Sequence, residues 1–390
     1  MDEIKIIHIS DLHISEHLTR GASDQFKLPA RYGHNIQVFL ALDKFLKESQ
    51  WDILLITGDL TRIGNSESFE SIRNWLENQI NIGAYTLGLN LSKSETQCYY
   101  VIPGNHDRFN GELTQNSLDK YHHEFLPITS GEVKSLHVGK NKVNIHLYDS
   151  TQDNKSFAYG YIDEKSLIPP TCPEGELNLA LLHHHFIQPP KHERSASTEL
   201  MNSADVAAFF LNSGFDGVLF GHTHQSYIGN PSIESLAGIL KDKRIKSRFW
   251  KRILPKYILR QLEGNCLVSY KRESAQNGQL PTLESYFDYL TIKKYNDNIK
   301  RPSQFEKINL FYEHLGEFTN EPNMKGKLSK LKMNSLLISL APSACQDEAK
   351  WKGLHEITFK KDGDKYLPTW NRYQFDGAKF AIKENDEHAS

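Results

Sequence analysis

Cysteine is scarce in this chain of 390 residues: Cys98, Cys172, Cys266 and Cys345 stand far apart, with no C-x-x-C pair. Such spacing writes neither a zinc ribbon nor the disulfide framework of a small secreted domain. A charge bias is also missing. The 46 Lys and Arg against 48 Asp and Glu leave a formal net charge of -2, which excludes a wholly basic nucleic-acid coat and an acidic tail protein. No apolar run approaches the roughly 18 residues that a membrane-spanning helix needs, and mean hydropathy is -0.54. The opening Met1-Asp2-Glu3 is acidic rather than basic. No secretory leader is therefore read, and a reducing cytoplasm is the expected setting.

What the chain does contain is histidine. Of its 18 histidines, five fall in two tight clusters, His183-His184-His185 and His222-Thr223-His224. With 38% hydrophobic residues it can bury a sizeable core, and its length suits two domains or one large α/β domain with an insertion.

Periodicity predicts strands at residues 4–10, 52–57 and 98–102, with helical faces between them through Val38, Leu42, Phe45 and Leu46 and through Phe69, Ile72, Leu76 and Ile80. A helix is expected at 113–125, strands at 134–138, 143–148, 177–182 and 216–220, and a helical stretch at 203–211. Alternation of this kind predicts α/β layering with working side chains on loops beyond the carboxyl ends of strands. Composition then shifts. Residues 241–260 hold nine Lys or Arg and one Asp, interleaved with Phe249, Trp250, Ile253, Leu254, Tyr257 and Ile258 and interrupted by Pro255. Such a basic, partly apolar segment suits a nucleic-acid backbone, an anionic membrane surface or a docking partner, or packs onto the main domain with its cations solvated. Strand patterns return at 335–340, 354–359 and 367–375. The expected division is a core at 1–231, an insertion or cap at 232–333, completing strands at 334–382 and a tail at 383–390.

Five short motifs occur in order, each after an apolar strand: Asp11-Leu12-His13, Gly58-Asp59, Gly104-Asn105-His106-Asp107, Leu182-His183-His184 and Gly221-His222-Thr223-His224. Together they collect carboxylates, an amide oxygen and several imidazoles on one edge of a sheet. That mixed oxygen and nitrogen set suits a pair of divalent transition ions; it is too rich in nitrogen for calcium and too poor in sulfur for structural zinc. Asp59 is the best candidate to be shared by two ions roughly 3.5 to 4 Å apart, because Gly58 lets the backbone turn at the strand end. His183, the first polar residue after its strand, is favoured over His184 as the ligand. His8 and His146 lie inside strand patterns and read as buried sheet histidines, and His122-His123 as a helix surface. For Arg20, Arg31, Tyr32 and Arg108, both a phosphate or base contact and a plain loop position are open.

The order D-x-H, G-D, G-N-H-D, a His after a strand, and G-H-x-H resembles the calcineurin-like metallophosphoesterases. The wording of residues 9–13, 56–60 and the triple His looks most like the bacterial class III cyclic-nucleotide phosphodiesterases. The resemblance implies two packed mixed β-sheets flanked by helices, and the helical, basic region read from composition is expected as an insertion before the last strands. It implies one metal held by Asp11, His13, Asp59 and His224 and a second by Asp59, Asn105, His183 and His222. Mn, Fe or Zn would suit these ligands, with Mn the leading expectation. It also implies a bridging hydroxide attacking phosphorus in line, His106 beside the leaving oxygen, and Asp107 orienting the His106 imidazole. The expected partner is a phosphate-ester substrate, with cyclic nucleotides foremost. A nuclease using residues 241–260, a hydrolase of lipid-linked phosphates and an inactive scaffold are the alternatives. Oligomeric state is not written in the sequence.

Overall fold

A computed structural model of the chain describes residues 3–15, 34–82, 85–108, 130–151, 160–168, 170–186, 200, 206, 209–210, 213–230, 336–346, 349 and 351–383. The expected helix at 113–125, His122, His123, Arg20, Arg31, Tyr32, most of the 203–211 stretch and the insertion with its basic segment lie outside the described residues.

Two six-stranded mixed sheets form the frame. The first runs in the order β14 (Phe380–Ile382), β13 (Lys365–Phe375), β12 (Gly353–Asp362), β1 (Glu3–Ile9), β2 (Ile53–Thr57), β5 (Cys98–Ile102). The second runs β10 (Tyr227–Gly229), β11 (Leu337–Leu340), β9 (Gly217–Phe220), β8 (Leu177–Leu181), β7 (Asn141–Leu147), β6 (Glu132–Val138). In the first sheet β1, β2 and β5 are parallel, and in the second β7, β8, β9 and β11 are parallel. Antiparallel strands flank these blocks. The fold class is therefore the two-sheet α/β sandwich the sequence implied.

Alternation along the strands builds two cores. Ile4 and Ile6 of β1 and Ile53 and Leu55 of β2 pack with Val143, Ile145, Leu177 and Leu179 of the second sheet. Their neighbours Ile7, Ile9, Leu54 and Ile56 face the other way, onto two helices, α1 (Ile36–Glu48) and α2 (Ser66–Glu77). Both helices start on an asparagine cap: the Asn35 side chain accepts from the N–H groups of Gln37 and Val38, and the Asn65 side chain from that of Ser68. Val38, Phe39, Leu42 and Leu46 of α1 and Phe69, Ile72, Trp75 and Leu76 of α2 form the buried stripes. Inside α1, Asp43 accepts from Trp75 Nε1 at 2.9 Å, from the Gly88 N–H at 2.9 Å and from Lys47 at 2.6 Å, tying the helices together.

At Ile80 the type of element differs from the periodicity. The helical face was expected to reach Ile80, but α2 stops at Glu77 and Ile80 opens β3 (Ile80–Ile82), paired with β4 (Tyr85–Leu87). Asn74, Asn78, Gln79 and Asn81 crowd this stretch with three asparagines, which favour turns and helix ends over helix interiors. The short strands β3, β4, β10 and β14 carry too few residues for a readable period.

Candidate metal centre

Each of the five motifs begins where a parallel strand ends. Asp11 and His13 follow β1, Asp59 follows β2, Asn105 and His106 follow β5, His183 follows β8, and His222 and His224 follow β9. Backbone pairing runs past the strand ends and fixes these turns. The N–H of Asp11 donates to the Gly58 carbonyl at 3.0 Å, that of His13 to the Asp59 carbonyl at 2.9 Å, and that of Gly221 to the His183 carbonyl at 3.0 Å.

The turns are strained at the residues that carry the chemistry. Asp11, His13, Asp59, His222 and His224 have φ of 54°, 50°, 49°, 75° and 54°. For a residue with a Cβ this left-handed region costs about 1 kcal/mol or more, and it persists where surrounding structure enforces it. Between the strained pair Asp11 and His13, Leu12 is fully buried in the helix-side core and anchors the turn. Glycine makes room on the facing loop: a Cβ on Gly104 would collide with the backbone and carboxylate of Asp59.

The side chains converge on Asp59. Its Oδ1 accepts the N–H of His106 at 2.8 Å. Its Oδ2 lies 3.7 Å from His13 Nε2 and 3.4 Å from His183 Nε2. On one side His13 Nε2 is also 3.9 Å from Asp11 Oδ1, and His224 Nε2 is 3.2 Å from that same oxygen. On the other, His183 Nε2 is 3.2 Å from Asn105 Oδ1 and 3.2 Å from His222 Nδ1.

The residues fit a cation pair. Both ring nitrogens of His13 are buried without a hydrogen-bond partner, as is Nε2 of His222, and a buried polar atom left so costs about 1 to 3 kcal/mol. Donor atoms each about 2.0 to 2.2 Å from one shared cation stand roughly 3 to 4 Å apart, the range of the spacings here. Among the described residues, the triads Asp11, His13, His224 and Asp11, Asp59, His183 each offer ligand atoms within 4.8 Å of one another. So do His13, Asp59, His106 and His183, His184, His222. The clustered His and Asp residues thus form candidate sites for a dinuclear metal centre.

Electrostatics follow from burial and crowding. Burial works against charge on Asp59, yet the imidazoles of His183, His106 and His13 hold its carboxyl well below the usual range. Burial likewise opposes charge on His183, but Asp59 and Asp11 outweigh it and raise His183 to about 9. In contrast, burial and then the neighbouring imidazoles push His13 and His222 well down.

The two neighbouring histidines differ in what they face. His183 Nδ1 lies 2.7 Å from the Thr57 carbonyl, which can only accept. Nδ1 therefore carries a proton, and Nε2 turns to Asp59 and Asn105. His184 Nδ1 lies 2.9 Å from Ser150 Oγ, and that oxygen also accepts the N–H groups of His183 and His184.

Asp107 does a different job from the one expected. Its carboxylate accepts the N–H of Gly104 at 2.8 Å, of Thr61 at 2.8 Å and of Leu60 at 3.2 Å, plus the Thr61 hydroxyl at 2.8 Å. It thereby staples the loop after β5 to the loop after β2. Burial, then the nearby Asp59 charge, raise its carboxyl to about 7 against those hydrogen bonds. For His106 the orienting group is the Arg62 carbonyl, 3.1 Å from Nδ1, while its ring stands 4.5 Å from that of His13. Arg108 is held by Asp149 at 2.6 Å and by Thr151. Both His8 and His146 are buried in their strands. The sequence reading missed Thr57, Ser150 and Arg62. Two of them act through backbone carbonyls that every residue possesses, and Ser150 through a lone hydroxyl with no motif around it.

The chain is 29% identical over 250 residues to a 3',5'-cyclic-nucleotide phosphodiesterase of Nostoc sp., covering 59% of this chain and 78% of that protein. Among solved structures, Vps29 of Entamoeba histolytica complexed with zinc aligns over 97% of each chain, with 10% identity and a TM-score of 0.32. Vacuolar Protein Sorting 29 of Cryptosporidium parvum aligns over 98% of this chain and 97% of its own, with 11% identity and a TM-score of 0.30. Residues 4–226, which contain all five motifs, match the calcineurin-like phosphoesterase family. The chain belongs to that family.

Proposed function

We propose that the protein is a phosphodiesterase that uses two divalent cations and takes cyclic nucleotides as substrates. The observation that carries the reading is the position of Asp59 Oδ2 between His13 and His183. On this reading Asp11, His13, Asp59 and His224 hold one ion, and Asp59, Asn105, His183 and His222 hold the other. Two bound cations would lower the pKa of a shared water and neutralise charge on the phosphate oxygens.

The chain's own groups do the rest. Asp59 keeps both halves of the centre in register through its Oδ1 bond to the His106 N–H. Because the Arg62 carbonyl fixes a proton on His106 Nδ1, the ring's Nε2 is the atom that exchanges a proton with the leaving oxygen. Asp107 holds that loop against the loop of Asp59. The likeness to the Nostoc cyclic-nucleotide phosphodiesterase supports the substrate class, and Mn is the first metal to try.

The test is a substrate panel with Mn²⁺: cyclic nucleotides, single- and double-stranded DNA and RNA, and phosphomonoesters. Turnover of a 3',5'-cyclic nucleotide that is lost in His106→Ala supports the proposal. Activity on monoesters alone overturns it, and cleavage of DNA or RNA that weakens steeply with salt moves the assignment to a nuclease.

A further inference from the structure

Between the two sheets, in a core built mainly from Ile, Leu and Val with Phe359 and Tyr366, stand two fully buried imidazoles, His8 on β1 and His355 on β12. They are register partners on adjacent strands. Two imidazoles in such a place are costly unless every ring nitrogen is satisfied, and here all four are. His8 Nε2 lies 2.9 Å from Thr57 Oγ1 and His8 Nδ1 2.7 Å from Ser339 Oγ. His355 Nδ1 lies 2.9 Å from the same Ser339 Oγ and His355 Nε2 2.9 Å from Ser226 Oγ. Burial first, then His355 for His8 and Arg372 for His355, push both rings well toward the neutral form.

Proton counting fixes the logic of the chain. A neutral imidazole donates once and accepts once, and Ser339 has one hydroxyl proton to place between two rings. Ser339 therefore donates to one ring and accepts from the other. All four bonds from Ser226 to Thr57 must then point the same way, so the chain acts as one unit crossing from the second sheet to the first. Its end is what matters. The Thr57 carbonyl accepts from His183 Nδ1 at 2.7 Å and from Ser10 Oγ at 3.0 Å, and Thr57 precedes Gly58 and Asp59. Its other end, Ser226, lies two residues beyond His224.

We propose that His8, Ser339 and His355 are positioning residues for the metal centre: the buried chain holds the Thr57 peptide, which aims His183 and sets Asp59 between the two halves of the site. The inference rests on the dinuclear reading above. A polar chain is poor as a stabiliser, since apolar groups of similar size can replace all its members at little cost. It is good at fixing one geometry.

The test uses the full-length protein stripped of metal and titrated with Mn²⁺, following free Mn²⁺ by its EPR signal. Thermal unfolding of the metal-free protein is recorded in parallel. Ser339→Ala breaks the chain at its centre, and the triple variant His8→Leu, Ser339→Ala, His355→Leu replaces it by apolar groups. The expected result is a folded triple variant whose metal-free melting temperature stays near that of the parent. Mn²⁺ affinity should fall by about tenfold or more in both variants, as for other partners of metal ligands. Unchanged Mn²⁺ affinity in Ser339→Ala overturns the inference, whatever becomes of the triple variant. If the parent itself binds no Mn²⁺, or if Asp11→Ala and His183→Ala leave its binding unchanged, the dinuclear reading fails instead.

Discussion

Asp59 Oδ2 lies 3.4 Å from His183 Nε2 and 3.7 Å from His13 Nε2, so one carboxylate oxygen faces both halves of the histidine cluster. Its partner oxygen is already engaged by the N–H of His106. Asp59→Asn keeps the shape and removes the charge. Partners outside the ligand set are worth about 10- to 100-fold in affinity or activity, so this change should cost at least on the order of 100-fold in Mn²⁺-dependent diester hydrolysis. Metal content, read by mass spectrometry, should fall from two ions per chain to one or fewer.

Gly104 faces the same carboxylate from the loop after β5, and any side chain there would collide with Asp59. Gly104→Ala should therefore displace Asp59 while costing only about 1 to 3 kcal/mol of stability. The expected outcome is a protein with normal far-UV circular dichroism and a lowered melting temperature that no longer gains stability from added Mn²⁺.

Asp43 separates architecture from chemistry. It is buried in α1 and accepts from Trp75, Gly88 and Lys47. Asp43→Ala strands those donors and should cost about 3 kcal/mol in urea unfolding. Mn²⁺ affinity of the folded protein should stay as it is in the parent.

Acid should weaken the fold through the buried histidines. His355 is held down to about 3, against an ordinary value of 6.5, mainly by burial, and His8 is lowered in the same direction. Between those limits the unfolded chain takes up protons that the folded one refuses. Stability contributed by keeping His355 neutral is thus complete above about pH 6.5 and is lost as pH falls toward 3, at about 1.4 kcal/mol per pH unit for each such ring. Urea unfolding of the metal-free protein at pH 7, 6 and 5 should show this decline. In the triple variant His8→Leu, Ser339→Ala, His355→Leu the slope should be shallower.

Much of this was legible because parallel strands deliver their chemistry at predictable points. The strand at Cys98–Ile102 was readable from its apolar run alone, and Gly104-Asn105-His106-Asp107 after it marked the site. The gathering of Asp11, Asp59 and His183, at sequence separations of tens to more than a hundred residues, followed from the order of motifs and a family likeness. No periodicity could supply it. Asp107 misled because a carboxylate next to an imidazole in sequence invites pairing, whereas the turn sends it to the backbone of Thr61 and Gly104. The His8–Ser339–His355 chain escaped notice because its His8–Ser339 bond joins residues 331 positions apart through an ordinary serine in an apolar strand.

The central claim, that Asp59 holds two cations together for phosphodiester cleavage, is tested most directly by titrating metal-free protein with Mn²⁺ while following hydrolysis of a 3',5'-cyclic nucleotide. Activity should climb until two ions are bound per chain and then level off, and Asp59→Asn should abolish the climb. A plateau at one ion, or hydrolysis indifferent to Asp59, would contradict it.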